Sequence, residues 1–527
     1  MQKEKISRVQ TNLFSDLSNQ LVYNQNDLLE FIDTPFTKEA FQIKTRQKKE
    51  NYSSEIRNTL VKELKSKYSE IKTNELVLAN IEKLNNDMTY TVTTGHQLSL
   101  FTGPIYFIYK ILNTIKLAEY LNLSNTGFSY VPVFWMASED HDFEEIQSIS
   151  LFNKEIKWET NQTGAVGRFD LTDFNLVKDS MLELFKNDSD SEVYQLLESI
   201  DGHNYGDATF KLINRLFEKY GLIIIDGDNK AYKEIFKPII KNELKTNFSF
   251  DSVNETNKKL EIKKIKRQLT AREINLFYLH NQERTRIIKE EQHYKIEGVG
   301  SFDLESILNL VEENPENFSP NVVLRPLFQE TLLPNICYIG GGGEISYWLQ
   351  LKQVFNSTKT TYPLLSVRNS FQLIDSISKK KMDKLSLNNN DLFKDTDILK
   401  KDYVLSNSSD LDFEHLEKLV TDYTVNLEAK IQQINEGLIN FGKAESVKIK
   451  NQLNSIKKKL IKSEKEKNEQ SLNQIEQLKE RLFPNGKPQE RVINFFSICN
   501  DGQIKKHLDD LYDAMDPFEK DFIILTQ

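Results

Sequence analysis

Only two cysteines, Cys337 and Cys499, stand in 527 residues. That is too few for a disulfide framework, and it excludes a zinc site built on thiolates. Long apolar runs are missing too. No stretch reaches about 18 uninterrupted apolar residues, and Met1 to Lys5 leads into no apolar signal core. A soluble, cytoplasmic protein is the expectation, with no membrane partner. Nor is there an excess of positive charge: Lys+Arg 69 against Asp+Glu 78 gives −9, which argues against a general nucleic-acid binder. What is there is length and apolar content, 39% hydrophobic with 32 Phe and 20 Tyr, enough for two to four structural units.

Two blocks stand out, each directly after an apolar, β-prone run. Met88 to Val92 precedes Thr94-Gly95-His96-Gln97-Leu98-Ser99-Leu100-Phe101-Thr102-Gly103-Pro104, and Tyr130 to Met136 precedes Ser138-Glu139-Asp140-His141-Asp142. Ile105 to Leu121, between them, has the pattern of an amphipathic helix. This is a βαβ unit with polar chemistry at its strand ends, where open α/β sheets bind ligands. A second unit of the same plan follows a long gap. Ile336 to Ile339 reads as a strand, Gly340 to Gly343 as a loop, Glu344 to Phe355 as a helix and Pro363 to Val367 as another strand. Gly221 to Gly227 supplies a further short buried strand. Lys241 to Lys289 is polar and basic and is expected to be helical, an insertion outside the sheet.

From 410 onward Val420, Leu427, Ile434 and Phe441 fall seven apart, with Ile431 and Leu438 between them. Ile449, Leu453, Ile456 and Leu460, then Leu472, Ile475 and Leu482, continue a coiled-coil pattern. No apolar residue falls from Ser463 to Gln470. An antiparallel hairpin turning near Gly442 to Glu445 is expected, closed by Pro484 and Gly486. The resulting division is a helical segment over 1–85 packing on the core, a Rossmann-like core over 86–240 and 321–405, a connecting insertion over 241–320, a coiled coil over 406–482 and a C-terminal segment over 483–527.

The first loop offers glycines, hydroxyls, an imidazole and an amide at a helix start, a setting that favours an anion. A tight turn with capping residues has the same composition. Lys110, about two turns into the helix, reaches that ligand only if its side chain points back. In the second block three carboxylates and a histidine crowd within four residues. They can act as acid and base, bind a divalent ion, or form a solvated acidic turn. Arg325, Gln329 and Glu330 precede the glycine loop, whose backbone N–H groups can cradle an anion. Tyr347 and Trp348 can stack on a ring or fill the core. Gly437 to Ala444 nearly matches a P-loop, but Ala stands in place of the Mg²⁺-binding hydroxyl and the segment lies in a coiled-coil pattern, so the match is rejected. Cys337 and Cys499 sit in apolar surroundings and read as inert core thiols.

In order and spacing these segments resemble the bacillithiol-biosynthesis cysteine-adding enzymes, the BshC family. The resemblance rests on Thr94-Gly95-His96-Gln97 with Thr102-Gly103-Pro104, on Pro132 through Asp142, and on Leu324-Arg325-Pro326 with Gln329 through Pro334. It continues through the four glycines to Trp348 and ends on Leu482-Phe483-Pro484 with Gln489-Glu490-Arg491. Gly-His-Gln replaces the more frequent Gly-Gln-Gln, so His96 is not an essential residue on this reading. A glycine also stands where the third place of the loop often holds proline.

The resemblance implies an α/β fold: a Rossmann-like core with two connecting insertions, plus an α-helical coiled-coil domain that mediates a homodimer. It implies addition of L-cysteine to glucosaminyl malate, with ATP as the expected energy source, Mg²⁺ an optional companion, and no zinc. Asp140 and His141 would then take the proton of the glucosamine ammonium. His96, Gln97, Glu139, Asp142, Arg325, Gln329, Glu330, Glu344, Tyr347 and Trp348 would bind substrate. Thr94, Gly95, Thr102, Gly103, Lys110, Gly340, Gly341, Gly342, Gly343, Gln489 and Arg491 would bind the nucleotide. Two other readings remain: a nucleotide-binding coiled-coil scaffold without catalysis, and a nucleotidyltransferase acting on another small molecule.

Overall fold

Strand Thr89–His96 (β1) is threonine-rich yet buried from Thr89 to Gly95, so each hydroxyl needs a partner. Thr91 and Thr93 meet Asn335 Oδ1 at 3.2 and 2.9 Å, and Thr94 donates to the Ile339 carbonyl at 2.7 Å. These bonds belong to a computed structural model that describes residues 2–23, 25–124, 127–152, 154–407 and 413–527. Helix Tyr106–Leu123 (α1), apolar on nearly every side, crosses from β1 to strand Ser129–Met136 (β2). β1 and β2 run parallel in register from Thr89↔Ser129 to His96↔Met136. Strand Ile223–Asp226 (β3) joins the far side of β2.

The chain then returns to the other side of β1. Helix Arg325–Leu332 (α2) leads to strand Asn335–Gly340 (β4), helix Gly342–Trp348 (α3) and strand Leu364–Val367 (β5). The sheet order is β5-β4-β1-β2-β3, every pair parallel. The direction of winding reverses between β1 and β4, the place where such sheets open a crevice for ligands. The glycine stretch is shorter as a loop than expected. Gly340 ends β4, Gly341 caps α3, and Gly342 already lies in that helix, where a Cβ would fall 2.2 Å from Ser18 Oγ. The expected helix over Glu344 to Phe355 is also broken, resuming as Lys352–Ser357.

The insertion differs most from expectation. Lys230–Thr246 and Phe248–Ile262 are helices, but Leu276–His280 and Glu283–Glu290 are antiparallel strands. They belong to a five-stranded sheet with His293–Ile296, Gly300–Phe302 and Phe318–Pro320. The hairpin turns through Asn281 and Gln282, both at positive φ, without the usual glycine. Charged residues at both odd and even positions of Glu283–Glu290 concealed any alternation.

The chain forms two compact units: Ser7–Phe371 with Glu490–Ile523, and Met1–Ile6 with Gln372–Gln489 and Ile524–Gln527. The second carries helices Glu414–Ile434 (α4), Ile439–Lys467 (α5) and Glu469–Leu482 (α6). α4 and α5 form an antiparallel hairpin, with Lys457 paired to Glu417 at 2.5 Å. Its turn comes earlier than expected, at 435–438, where Asn435 Oδ1 accepts from the Gly437 N–H at 3.0 Å. Gly442 instead lies within α5, where its missing Cβ admits Ile431. The helix breaks at Asn468, inside the stretch without apolar residues. The start of the expected coiled-coil segment, at 408–412, lies outside the described residues.

Candidate active site

The carboxyl ends of β1, β2, β4 and β5 open on a cleft of about 850 Å³. Lys110 organises its floor. It is buried on α1 and does point back: Nζ donates to the Gly95 carbonyl and lies 2.7 Å from Glu344 Oε2. One side chain therefore ties the first strand–loop–helix unit to the second. Glu344 also accepts from Tyr338 Oη at 2.5 Å and from the Gly341 N–H at 3.2 Å. Burial works hardest against its charge, but the Lys110 ion pair, the Tyr338 hydrogen bond and the nearby His96 together hold the carboxyl below its usual range. Gly95 leaves room for this close approach; a Cβ there would come within 3.3 Å of the Trp135 carbonyl and 3.4 Å of Tyr338 Oη.

Beside it, His96 Nδ1 lies 3.0 Å from the Gln97 carbonyl, which only accepts, so Nδ1 carries the proton. Nε2 then accepts from Tyr106 Oη at 3.2 Å. Burial, followed by the nearby Lys110 charge, lowers this imidazole to about 4. His96 is neutral.

Past β2 the chain turns on Asp140, whose Oδ1 accepts from the His141 N–H at 2.9 Å. Its Oδ2 faces Arg325 Nη1 at 3.1 Å and Gln97 Nε2 at 3.2 Å. Burial alone would raise this carboxyl, yet Arg325 and Arg284 together hold it at about 2. So low a value, together with an ion pair, makes Asp140 a weak proton acceptor, contrary to the role expected of it. Asp142 and Glu145 also line the cleft and carry no ion pair among the described residues. On the β5 side, Arg368 is locked to Glu490 by two bonds of 3.0 and 2.8 Å and lies 5.2 Å from the Tyr106 ring. Arg491 lines the cleft without an ion-pair partner among the described residues.

Several expected site residues do border this space: Gly95, His96, Gln97, Lys110, Asp140, His141, Asp142, Arg325, Gln329, Gly341, Gly342, Gly343, Glu344, Tyr347, Trp348 and Arg491. Trp348 is mainly core, 1% exposed and stacked on Tyr338 at 4.5 Å. Others point elsewhere. Thr94 is bonded across the sheet. Thr102 is buried in a turn at φ +72, and the Gly103 carbonyl accepts from Asn494 Nδ2 at 2.7 Å, so this part of the loop is pinned structure rather than a cradle. Glu139 alternates away from its neighbours to pair with the buried Lys233. Glu330 accepts from Gln329 at 2.9 Å and Asn335 at 2.7 Å inside the core. Gly340 is strand, and Gln489 belongs to the other unit, where it bonds Leu373.

Sequence reasoning missed Tyr106, Trp135, Tyr338, Glu145 and Arg368 in the cleft wall. Arg368 directly follows β5, and the rule that strand ends carry the site would have found it. The described residues hold no group of three or more His, Cys, Asp or Glu side chains arranged for a metal ion. Cys337 and Cys499 are buried, and burial pushes both thiols well up.

Two family models match end to end. One, described as Bacillithiol biosynthesis BshC, N-terminal Rossmann-like domain, matches residues 1–369; the other, Bacillithiol biosynthesis BshC, C-terminal coiled-coil domain, matches 371–527. A relative from Flavobacterium psychrophilum is 39% identical over 86% of this chain and 85% of its own length. One from Christiangramia forsetii is 35% identical over 99% and 98%, and one from Bacillus cereus 28% over 94% of each. All three bear the name "Putative cysteine ligase BshC".

Proposed function

The chain belongs to the BshC family of bacillithiol biosynthesis, and from that premise we propose that it is an ATP-driven ligase of the cytoplasm. It joins L-cysteine to glucosaminyl malate in the last step of bacillithiol formation. The observation that carries this reading is the Lys110 bridge between Gly95 and Glu344 at the sheet's switch point, in a cleft walled by cations and aromatic rings.

Amide formation from a carboxylate needs an activated acyl group: a cysteine carboxylate oxygen would bond to a phosphorus of ATP as a phosphoanhydride P–O bond breaks. The amino-sugar nitrogen then attacks the activated cysteinyl carbon, a C–N bond forms, and the C–O bond to the phosphoryl-bearing leaving group breaks. Asp142 and Glu145, which carry no ion pair among the described residues, hold the ammonium and take its proton; Asp140 instead orients Arg325 toward a substrate anion. Arg491 provides a cation for a phosphate or carboxylate, and Gly341 to Gly343 let backbone approach it. A scaffold without catalysis has no use for this constellation. Purified protein given cysteine, glucosaminyl malate and ATP is expected to yield bacillithiol by mass spectrometry. Folded protein that leaves the amino sugar unconsumed removes the reading.

We further propose a homodimer through the coiled coil. Leu416, Leu419, Tyr423, Ile434, Phe441 and Leu460 are large apolar side chains left exposed along α4 and α5, more than a lone hairpin needs. Light scattering should return twice the 61.5 kDa chain mass; a value at 61.5 kDa contradicts the dimer.

A further inference from the structure

The connecting insertion delivers one side chain to the cleft's catalytic turn. Arg284 lies on strand Glu283–Glu290 and is held from several directions. Its Nε donates to Ser319 Oγ at 3.0 Å and its Nη2 to the Pro320 carbonyl at 3.0 Å. Its guanidinium sits 4.1 Å over the Phe277 ring. The remaining arm, Nη1, lies 2.9 Å from Nδ1 of His141, whose own ring packs on Phe277 at 5.1 Å.

A guanidinium has five N–H donors and no acceptor, and it keeps its charge in proteins. The ring nitrogen that meets it must therefore present a lone pair. Burial, and then Arg284, lower the His141 imidazole, so the ring is neutral and its single proton sits on Nε2. A base would need the opposite arrangement, with Nε2 bare and Nδ1–H pressed against a cation.

We propose that Arg284 is a positioning residue that fixes His141 as the neutral Nε2–H tautomer, so that His141 serves as a hydrogen-bond donor to a substrate oxygen and not as the base. The identity of that oxygen rests on the ligase reading; the tautomer does not. As the amine adds to the activated cysteinyl carbon, the C–N bond forms and the carbonyl pair moves onto oxygen. The Nε2–H donor stabilises that oxygen without surrendering its proton. The pair then returns as the leaving-group oxygen departs with the C–O bonding pair, and the ammonium proton goes to a cleft carboxylate. The groups facing the imidazole are Arg284, Arg286, Asp140 at 3.9 Å and Asp142.

The test is ¹⁵N NMR of the full-length, histidine-labelled protein, with the His141 signals assigned by their loss in His141→Gln. Nδ1 is expected bare and Nε2 protonated at neutral pH, with full protonation only below the usual histidine range. This first measurement needs no Arg284 variant. In Arg284→Met the ring should titrate closer to about 6.5, the usual histidine value, while Arg284→Lys, which keeps a donor, should restore part of the shift. With cysteine, glucosaminyl malate and ATP, Arg284→Met should lower kcat about 10–100-fold with KM little changed. A wild-type ring protonated on Nδ1, or one titrating identically with and without Arg284, overturns the proposal. If the tautomer is as stated but no amide forms, the ligase reading fails while the positioning role stands.

Discussion

Lys110→Met should cost the protein about 3–5 kcal/mol of stability, the toll of breaking a buried ion pair from one side. The substitution keeps the aliphatic stem but removes the charge bonded to both the Gly95 carbonyl and Glu344. Glu344 would then sit beside Tyr338 with its counter-charge gone. Urea titration should show the loss, and Lys110→Met combined with Glu344→Gln should regain a good part of it, because the orphaned carboxylate is then gone as well. The pH dependence has a definite sign. Glu344 is held below its usual range in the folded protein, so its contribution is present above the ordinary carboxylate pKa and fades as pH falls. A Lys110→Met variant within about 1 kcal/mol of wild type would show the bridge to be incidental.

Arg325→Ala should reduce kcat/KM by about 10²–10³-fold, the usual scale for loss of a preorganised charge at a reacting anion. Arg325 is the nearest cation to Asp140 and reaches the cleft from the second half of the core. Its removal also frees Asp140, whose carboxyl should climb from about 2 toward the ordinary range. In wild type that depressed carboxyl stabilises the fold above its unfolded pKa, and the contribution is lost as pH falls through about 2. The stability gap between wild type and Arg325→Ala is therefore expected to be full near neutrality and to close in acid. Steady-state kinetics and urea titrations at several pH values measure both effects. A kcat/KM within about threefold of wild type would remove Arg325 from the reacting site.

The core of this architecture was legible because its signals are local. The two strand–loop–helix units were visible from apolar runs ending in small and ionisable residues, and β1, α1, β2, β4 and β5 fall where those runs are. The insertion sheet was not legible, since a hairpin turning on Asn281-Gln282 carries no glycine signal and its second strand, Glu283–Glu290, is mostly charged. The coiled-coil turn was misplaced for a related reason. Gly442 looked like a terminator but is a packing notch for Ile431, while Asn435 makes the turn.

For the site, sequence could name residues at strand ends but not their directions. Glu139 and Asp140 are neighbours, yet one pairs with Lys233 inside the core and the other with Arg325 at the cleft. The loop from Thr94 to Gly103 divides in the same way: Gly95, His96 and Gln97 reach the cleft, and Thr102 and Gly103 are fastened by positive φ and Asn494. Arg284 lies more than 140 residues from its partner His141, and only the fold of the insertion brings them together.

Amide formation in the crevice between β1 and β4 can be checked with a crystal structure holding both glucosaminyl malate and nucleotide. The amino-sugar nitrogen is expected beside Asp142 and Glu145, anionic groups on Arg325 and Arg491, and His141 Nε2 facing a substrate oxygen. Glucosaminyl malate bound outside the crevice that Gly95, Lys110 and Glu344 floor would contradict it.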